Sequence, residues 1–133
     1  MTCFLSACHK QVYTVKDLPP KQLVLGSYGG ISGLDSKLVY LKSGEVYSVK
    51  TMPGGEPKLV FYERNKKKCR KMFKLAKKIE FSSLKPNDPC NMNYYIEMKK
   101  RFGKERSYQW CTLEGNSEKN KELINQLLNL QSK

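Results

Sequence analysis

The chain has 133 residues, a size typical of one domain that buries its own core without structural metals or many disulfides. Hydrophobic residues make up 39% and charged residues 28%, which excludes a disordered chain, and no run approaches the ~18 apolar residues of a membrane span. The 25 Lys and Arg against 12 Asp and Glu give a net charge of +13. Such a surface attracts nucleic acid, acidic lipids, anionic glycans or acidic proteins, or serves only to keep the chain soluble.

The first eight residues end in a pattern that resembles a bacterial lipobox. Leu5-Ser6-Ala7-Cys8 places small residues before a cysteine, as at the site where a signal peptidase cleaves in front of a lipidated Cys. A complete signal also has a basic start and about 7–15 apolar residues, which are not present here. A late start codon, a shortened chain and coincidence all remain open. The lipobox interpretation predicts lipid attachment at Cys8, with residues 1–8 as a signal remnant.

Residues 9–21 are predicted to be a tether, because they are polar and end in the stiff pair Pro19-Pro20. A single domain is predicted to span residues 22–133. Its first half contains short runs rich in β-forming residues, separated by turn residues. The predicted strands are Leu23–Leu25, Lys37–Leu41, Glu45–Val49 and, as an optional strand, Leu59–Tyr62.

A helical period begins at Asn65, a suitable N-cap, and continues to Ile79. Its apolar side chains recur on one face: Cys69, Met72, Phe73, Ala76 and Ile79. The opposite face is basic and is a candidate surface for an anionic partner: Lys67, Arg70, Lys71, Lys74, Lys77 and Lys78. A basic cluster on a later hairpin is expected to extend this face: Lys99, Lys100, Arg101, Lys104 and Arg106.

The C-terminal part is predicted to be a hairpin and a second helix. Strict alternation from Met92 to Lys99 points Tyr94 inward and leaves Tyr95 free to face outward, and the strand Glu105–Cys111 returns beside it. Ser117 caps a helix that ends at Leu130. The order β-β-β-(β)-α-β-β-α predicts an α+β fold, with an antiparallel sheet of four to five strands and two helices on one face.

The sequence offers little chemistry for catalysis. His9 is the one histidine of the chain, which argues against Ser/His and Cys/His mechanisms and against zinc sites that use histidine. The glycines of Tyr28–Gly33 lead into a strand and lack the phosphate-loop frame, so they indicate a turn. Cys69 is predicted to be a buried apolar residue, while Cys90 and Cys111 flank the hairpin and are either free or bonded. We expect no catalytic residues, no metal and no cofactor.

Two loops are candidate protein-binding elements, because loops on a rigid sheet are where such contacts usually lie. Their residues are Tyr28, Gly29, Gly30 and Gly33 in the first, and Pro53, Gly54 and Gly55 in the second.

Several short motifs resemble those of small uncharacterised lipoproteins of Bacteroidetes: Tyr28-Gly29-Gly30-Ile31-Ser32-Gly33-Leu34, Gly44-Glu45-Val46-Tyr47, Phe81-Ser82-Ser83-Leu84 and Tyr94-Tyr95-Ile96, with Trp110 before a closing helix. The same order of features is more distantly similar to emfourin, a proteinaceous inhibitor of thermolysin-like metallopeptidases. The resemblance covers about residues 22–130. It implies an α+β fold and peptidase inhibition, and it transfers no inhibitory residue.

The leading hypothesis is a lipoprotein anchored in the bacterial cell envelope, facing the periplasm or cell surface. Its domain would be a non-catalytic binding module for an unknown macromolecule, with a metallopeptidase as the specific partner that the resemblance implies. The alternative is a cytosolic basic protein that binds nucleic acid or another polyanion through the Arg64–Lys78 helix. The two exclude each other, because an envelope protein does not meet cytosolic nucleic acid. An enzyme is the third and least supported hypothesis.

Overall fold

The computed structural model describes residues 13–103 and 105–132. These residues form six strands, two α-helices and two short 3-10 turns, Val15–Asp17 and Phe81–Ser83. The elements in chain order are β1 (Gln22–Gly29), β2 (Leu34–Leu41), β3 (Glu45–Thr51), β4 (Lys58–Arg64), α1 (Lys66–Lys77), β5 (Met92–Lys99), β6 (Arg106–Trp110) and α2 (Glu118–Gln131). All neighbouring strands are antiparallel, in the sheet order β4-β3-β2-β1-β5-β6.

The predicted α+β class is confirmed, but the number of strands is wrong. The described residues form a sheet of six strands instead of four to five, because the optional segment at 59–62 is a full edge strand, β4. Most side chains of β4 are exposed, and its sequence does not alternate between apolar and polar residues as that of a half-buried strand does. Backbone pairing to β3 holds the strand in place, with a bulge opposite Val46 and Tyr47.

The two helices cover one face of the sheet, as predicted. Asn65 and Ser117 cap them: the side-chain oxygen of Asn65 accepts from the Lys68 amide at 3.0 Å, and that of Ser117 accepts from the Asn120 amide at 3.2 Å. The apolar faces of both helices join the inward side chains of the strands in one core. Its buried members include Leu23, Leu25, Tyr40, Val46, Cys69, Met72, Phe73, Ala76, Ile79, Ile96, Met98, Trp110, Leu123, Ile124 and Leu127.

A second, smaller core lies on the other face of the sheet. Its buried members are Val24, Val39, Leu41, Tyr47 and Val49. Tyr13 and Leu18 pack against this core, and the rings of Tyr13 and Tyr47 meet edge to face at 5.9 Å. The packed part of the chain therefore reaches back to Tyr13, into the segment that the sequence assigns to the tether.

Asparagine side chains fix the long connection between α1 and β5. The oxygen of Asn116 accepts from the Lys85 amide at 2.7 Å, and that of Asn120 accepts from the Glu80 amide at 3.1 Å. A disulfide joins Cys90, just before β5, to Cys111, just after β6. The asparagine contacts hold this irregular segment against the start of α2, and the disulfide holds it against the end of the β5–β6 hairpin. No helix among the described residues has the length and apolarity needed to cross a membrane.

Candidate functional site

The two segments that the sequence singles out as loops lie side by side at one end of the sheet, although Tyr28 and Gly29 are the last two residues of β1 and not loop residues. Gly33 has a φ of +66°, and a β-carbon there would lie 2.9 Å from Cγ of Pro53, so the loops meet at van der Waals distance. The amide of Gly30 donates to the carbonyl of Asn91 at 2.6 Å, which ties the first loop to the segment before β5. We call this region the loop end. It comprises Tyr28–Gly33, Met52–Gly55 and Asn91–Met92.

Apolar side chains project from the loop end into solvent. Ile31 is fully exposed, Met52 is 56% exposed and Met92 is 40% exposed. Large apolar side chains grouped on an ordered surface are typical of a protein contact. Sequence reasoning identified the loops but missed Ile31, although an isoleucine inside a glycine-rich turn is itself a signal.

A basic groove lies at the opposite end of the sheet, where Gln22 of β1 pairs with Leu41 and Lys99. The groove runs between α1 and the β5–β6 turn and has a volume of about 600 Å³. Its lining is basic or apolar throughout: Lys21, Phe73, Lys77, Met98, Lys99, Lys100, Arg101, Phe102 and Arg106. Phe73 and Met98 form a buried floor, whereas Phe102 is 82% exposed at the turn.

The positive charge of the groove is not neutralised within the described part of the chain. None of its six cations forms an ion pair with a carboxylate there. Lys42 lies beside the groove, with Nζ 5.0 Å from the centre of the Phe73 ring. The pKa of the Lys42 ammonium is lowered, first by partial loss of solvent and then by the charges of Lys77, Lys21 and Arg70. Binding of an anion in the groove is therefore electrostatically favourable.

All six residues of the predicted basic face of α1 are exposed. Lys77 lines the groove and Lys78 lines a cavity with Arg106 of the hairpin, whereas Lys67 and Lys71 line a separate shallow cavity of about 250 Å³ together with Leu130. Of the hairpin cations, Lys104 lies outside the described residues. The basic helix and hairpin are therefore joined at the C-terminal end of α1.

A polar cleft of about 540 Å³ was missed by sequence reasoning. Tyr95, predicted to be free on the outer face, does face away from the helices, but it is half-buried and its hydroxyl donates to Oδ1 of Asp35 at 2.6 Å. Burial, and next the hydrogen bond to Asp35, raise the pKa of Tyr95. Asp35, Lys37 and Glu97 line the cleft, so it contains charges of both signs.

Tyr95 reaches this position because Gly26 has no side chain. A β-carbon at Gly26 would lie 2.5 Å from Cζ of Tyr95 and 2.8 Å from Cβ of Lys37. The Tyr95 ring therefore packs over the backbone of Gly26, its partner on β1, and fills the space that a side chain would occupy there. We regard this cluster as structural, since its main polar contact is satisfied internally.

Other candidate chemistry is sparse in the part of the chain that the structure covers. Residues 13–103 and 105–132 contain no group of three or more His, Cys, Asp or Glu side chains placed to hold a metal ion. Cys69 is a buried free thiol, as predicted, and burial raises the pKa of this thiol to about 11. The predicted lipid-attachment residue, Cys8, and the histidine His9 lie outside the described residues.

Two surfaces thus stand out, and they differ in chemistry. The loop end is apolar and suits a protein contact, and the basic groove is cationic with an apolar floor. No protein-family model, curated protein or solved structure matches the chain.

Proposed function

We propose that the chain is a cell-envelope lipoprotein whose domain is a small, non-catalytic module that binds a protein partner at its loop end. The observation that carries this proposal is the contact between the two loops at Gly33 and Pro53, with the fully exposed side chain of Ile31 on the first loop. Hydrogen bonds hold the first loop, so it loses little conformational entropy when it binds. Inhibition of a metallopeptidase is the specific form of binding that the resemblance to emfourin implies.

The disulfide between Cys90 and Cys111 supports the envelope location. Disulfides persist in oxidising compartments such as the bacterial periplasm and are rare in the cytosol, where thiols are kept reduced. A disulfide between Cys90 and Cys111 is also compatible with a lipid on Cys8, because lipidation takes place outside the cytoplasm. Export and disulfide formation are therefore consistent with each other.

Intact-mass analysis tests the lipoprotein part of the proposal. The chain is expressed in a bacterium from its full upstream reading frame, beside a Cys8→Ala variant. We expect the native chain to begin at Cys8, to carry acyl groups and to fractionate with membranes, and the variant to lack the acyl mass. Recovery of Met1, unmodified and in the soluble fraction, would contradict lipidation.

Inhibition assays on a panel of metallopeptidases test the binding part. Ile31→Asp places a carboxylate in the proposed contact, where desolvation without a partner is expected to weaken inhibition by at least about tenfold. Phe102→Asp is the matched control, because it adds the same charge at another highly exposed apolar position, in the basic groove. Equal losses in both variants would exclude the loop end as the contact, and no inhibition across the panel would exclude peptidase inhibition.

A second candidate function is cytosolic binding of nucleic acid or another polyanion through the basic segment Arg64–Lys78, in which Arg64 ends β4 and α1 spans only Lys66–Lys77. The exposure of all six basic residues on this helix and the unpaired cations of the groove favour it. Affinity would then fall steeply with salt, because binding releases counterions. The disulfide argues against this candidate, since a cytosolic chain would keep Cys90 and Cys111 reduced.

A further inference from the structure

We propose that the basic groove rests on an anionic phospholipid bilayer, with Phe102 inserted among the headgroups and the surrounding cations in contact with lipid phosphates. The inference rests on the proposed lipoprotein for one point only, the side from which the lipid anchor approaches. The rest of the inference is supported by the charge, the shape and the apolar side chains of the groove.

The groove combines the two features that membrane surfaces recognise. Six cations surround it, and each adds attraction to an anionic leaflet when it lies near the surface. Phe102 lies among them at the tip of the β5–β6 turn with 82% of its surface exposed, so entry of the ring into an apolar medium would be favourable. The floor of Phe73 and Met98 extends the apolar area behind it.

The same features fit single-stranded nucleic acid less well. Such ligands track a groove by stacking successive bases on several aromatic side chains. Phe102 is the one exposed aromatic ring among the residues that line the groove, while Phe61 and Tyr62 lie on β4, at the other edge of the sheet. Four of the six groove cations are lysines, which bind phosphates as point charges and not through a planar fork.

The N-terminal segment enters the fold beside the groove. Tyr13, Pro19 and Pro20 line a cavity of about 360 Å³ together with Lys21 and Arg101, two residues that also line the basic groove. Five residue steps separate Cys8 from Tyr13, so this part of the chain spans at most about 17 Å. A lipid on Cys8 would therefore hold the groove end of the molecule near the membrane.

Vesicle co-sedimentation of a chain that cannot be lipidated tests the inference. The Cys8→Ala chain is mixed with vesicles of phosphatidylglycerol and phosphatidylcholine, or of phosphatidylcholine alone. We expect binding to the anionic vesicles only. Lys100→Ala with Arg101→Ala should weaken it by about thirtyfold, since each cation near such a surface contributes about fivefold. Phe102→Ala should weaken it by about tenfold.

A double change elsewhere provides the matched control. Lys67→Ala with Lys71→Ala removes the same charge from exposed positions of α1 that lie outside the groove. We expect this control to lose less than about threefold, because screening limits the reach of charges that do not face the bilayer. Thermal unfolding followed by circular dichroism checks that every variant is folded.

Three outcomes would overturn the inference. One is no binding to anionic vesicles. Another is an equal loss in the groove and control variants, which would indicate a diffuse charge effect. The third is binding of a short single-stranded RNA as tight as that of the vesicles and unaffected by Phe102→Ala, which would indicate a polyanion surface. None of these involves lipidation or a peptidase, so failure here is distinct from failure of the proposed function.

Discussion

Tyr40 carries a buried hydroxyl that forms no hydrogen bond within the described part of the chain. Its side chain is fully buried in the core beneath the helices, and its hydroxyl has no hydrogen-bond partner among the described residues. Burial is also the main cause that raises the pKa of this hydroxyl. A buried hydroxyl without a partner costs about 1–3 kcal/mol of desolvation free energy. The ring of Tyr40 therefore stabilises the core, whereas its hydroxyl destabilises it.

We therefore expect Tyr40→Phe to raise the free energy of unfolding by about 1 kcal/mol, as measured by urea denaturation. Tyr47→Phe is the matched control: Tyr47 is equally buried on the opposite face, but its hydroxyl donates to Oε2 of Glu45 at 2.8 Å. Loss of that bond should lower the free energy of unfolding by about 1 kcal/mol. If both variants are destabilised to the same extent, the Tyr40 hydroxyl has a partner and the interpretation is wrong.

The β5–β6 hairpin is the element that the disulfide stabilises. Cys90 and Cys111 are 21 residues apart and enclose both strands, so the bond restricts the unfolded chain over this whole segment. Reduction is expected to lower the free energy of unfolding by about 3 kcal/mol, measured by urea denaturation with and without a reductant. The Cys90→Ala, Cys111→Ala double variant should be equally destabilised and insensitive to the reductant. A native chain that is equally stable in reductant would contradict a structural disulfide.

The elements that the sequence predicts best are those with local signals. Both α-helices begin one residue after the predicted caps, Asn65 and Ser117, because a cap and a helical period depend on neighbours in the chain. The second half of β1 was predicted as a glycine-rich turn, and β4 as optional. Each is a strand because of its partners: β1 pairs along its whole length with β2 and β5, and β4 pairs with β3.

The same distinction applies to the candidate sites. Sequence patterns identified the two loops and the two basic clusters as separate segments. They did not indicate that Gly33 touches Pro53, or that Phe73 of α1 and Phe102 of the hairpin line one groove. Nor did alternation along β5 show that Tyr95 would bond to Asp35, sixty residues earlier in the chain. These contacts depend on the order of strands in the sheet, which local periodicity does not encode.

At the scale of the whole molecule, the two surfaces lie at opposite ends of the sheet. The eight residues of β1 run from Gln22 beside the groove to Gly29 at the loop end, a distance of about 25 Å. A molecule that rests on a membrane through the groove therefore presents its loop end away from the lipid. Membrane attachment and partner binding then use separate surfaces and do not compete.

Two glycines allow this orientation to be measured. Gly103, next to Phe102, and Gly54, at the loop end, have φ values of +94° and +73°, and a β-carbon at either would meet no atom within 4 Å. Gly103→Cys and Gly54→Cys should therefore cost similar backbone strain and place a dye at matched exposed sites. Both are made in a chain with Cys3→Ala and Cys8→Ala, in which Cys69 is buried and Cys90 and Cys111 are bonded.

With an environment-sensitive dye on each introduced thiol, anionic vesicles should shift the emission of the Gly103→Cys chain to the blue and leave that of the Gly54→Cys chain unchanged. The reason is distance: a dye about 25 Å from the lipid surface stays in water, whereas one beside Phe102 enters the headgroup region. Vesicles of phosphatidylcholine alone should shift neither emission. An equal shift at both positions would mean that the molecule binds without a fixed orientation, and the assignment of one end to lipid and the other to a protein partner would have to be abandoned.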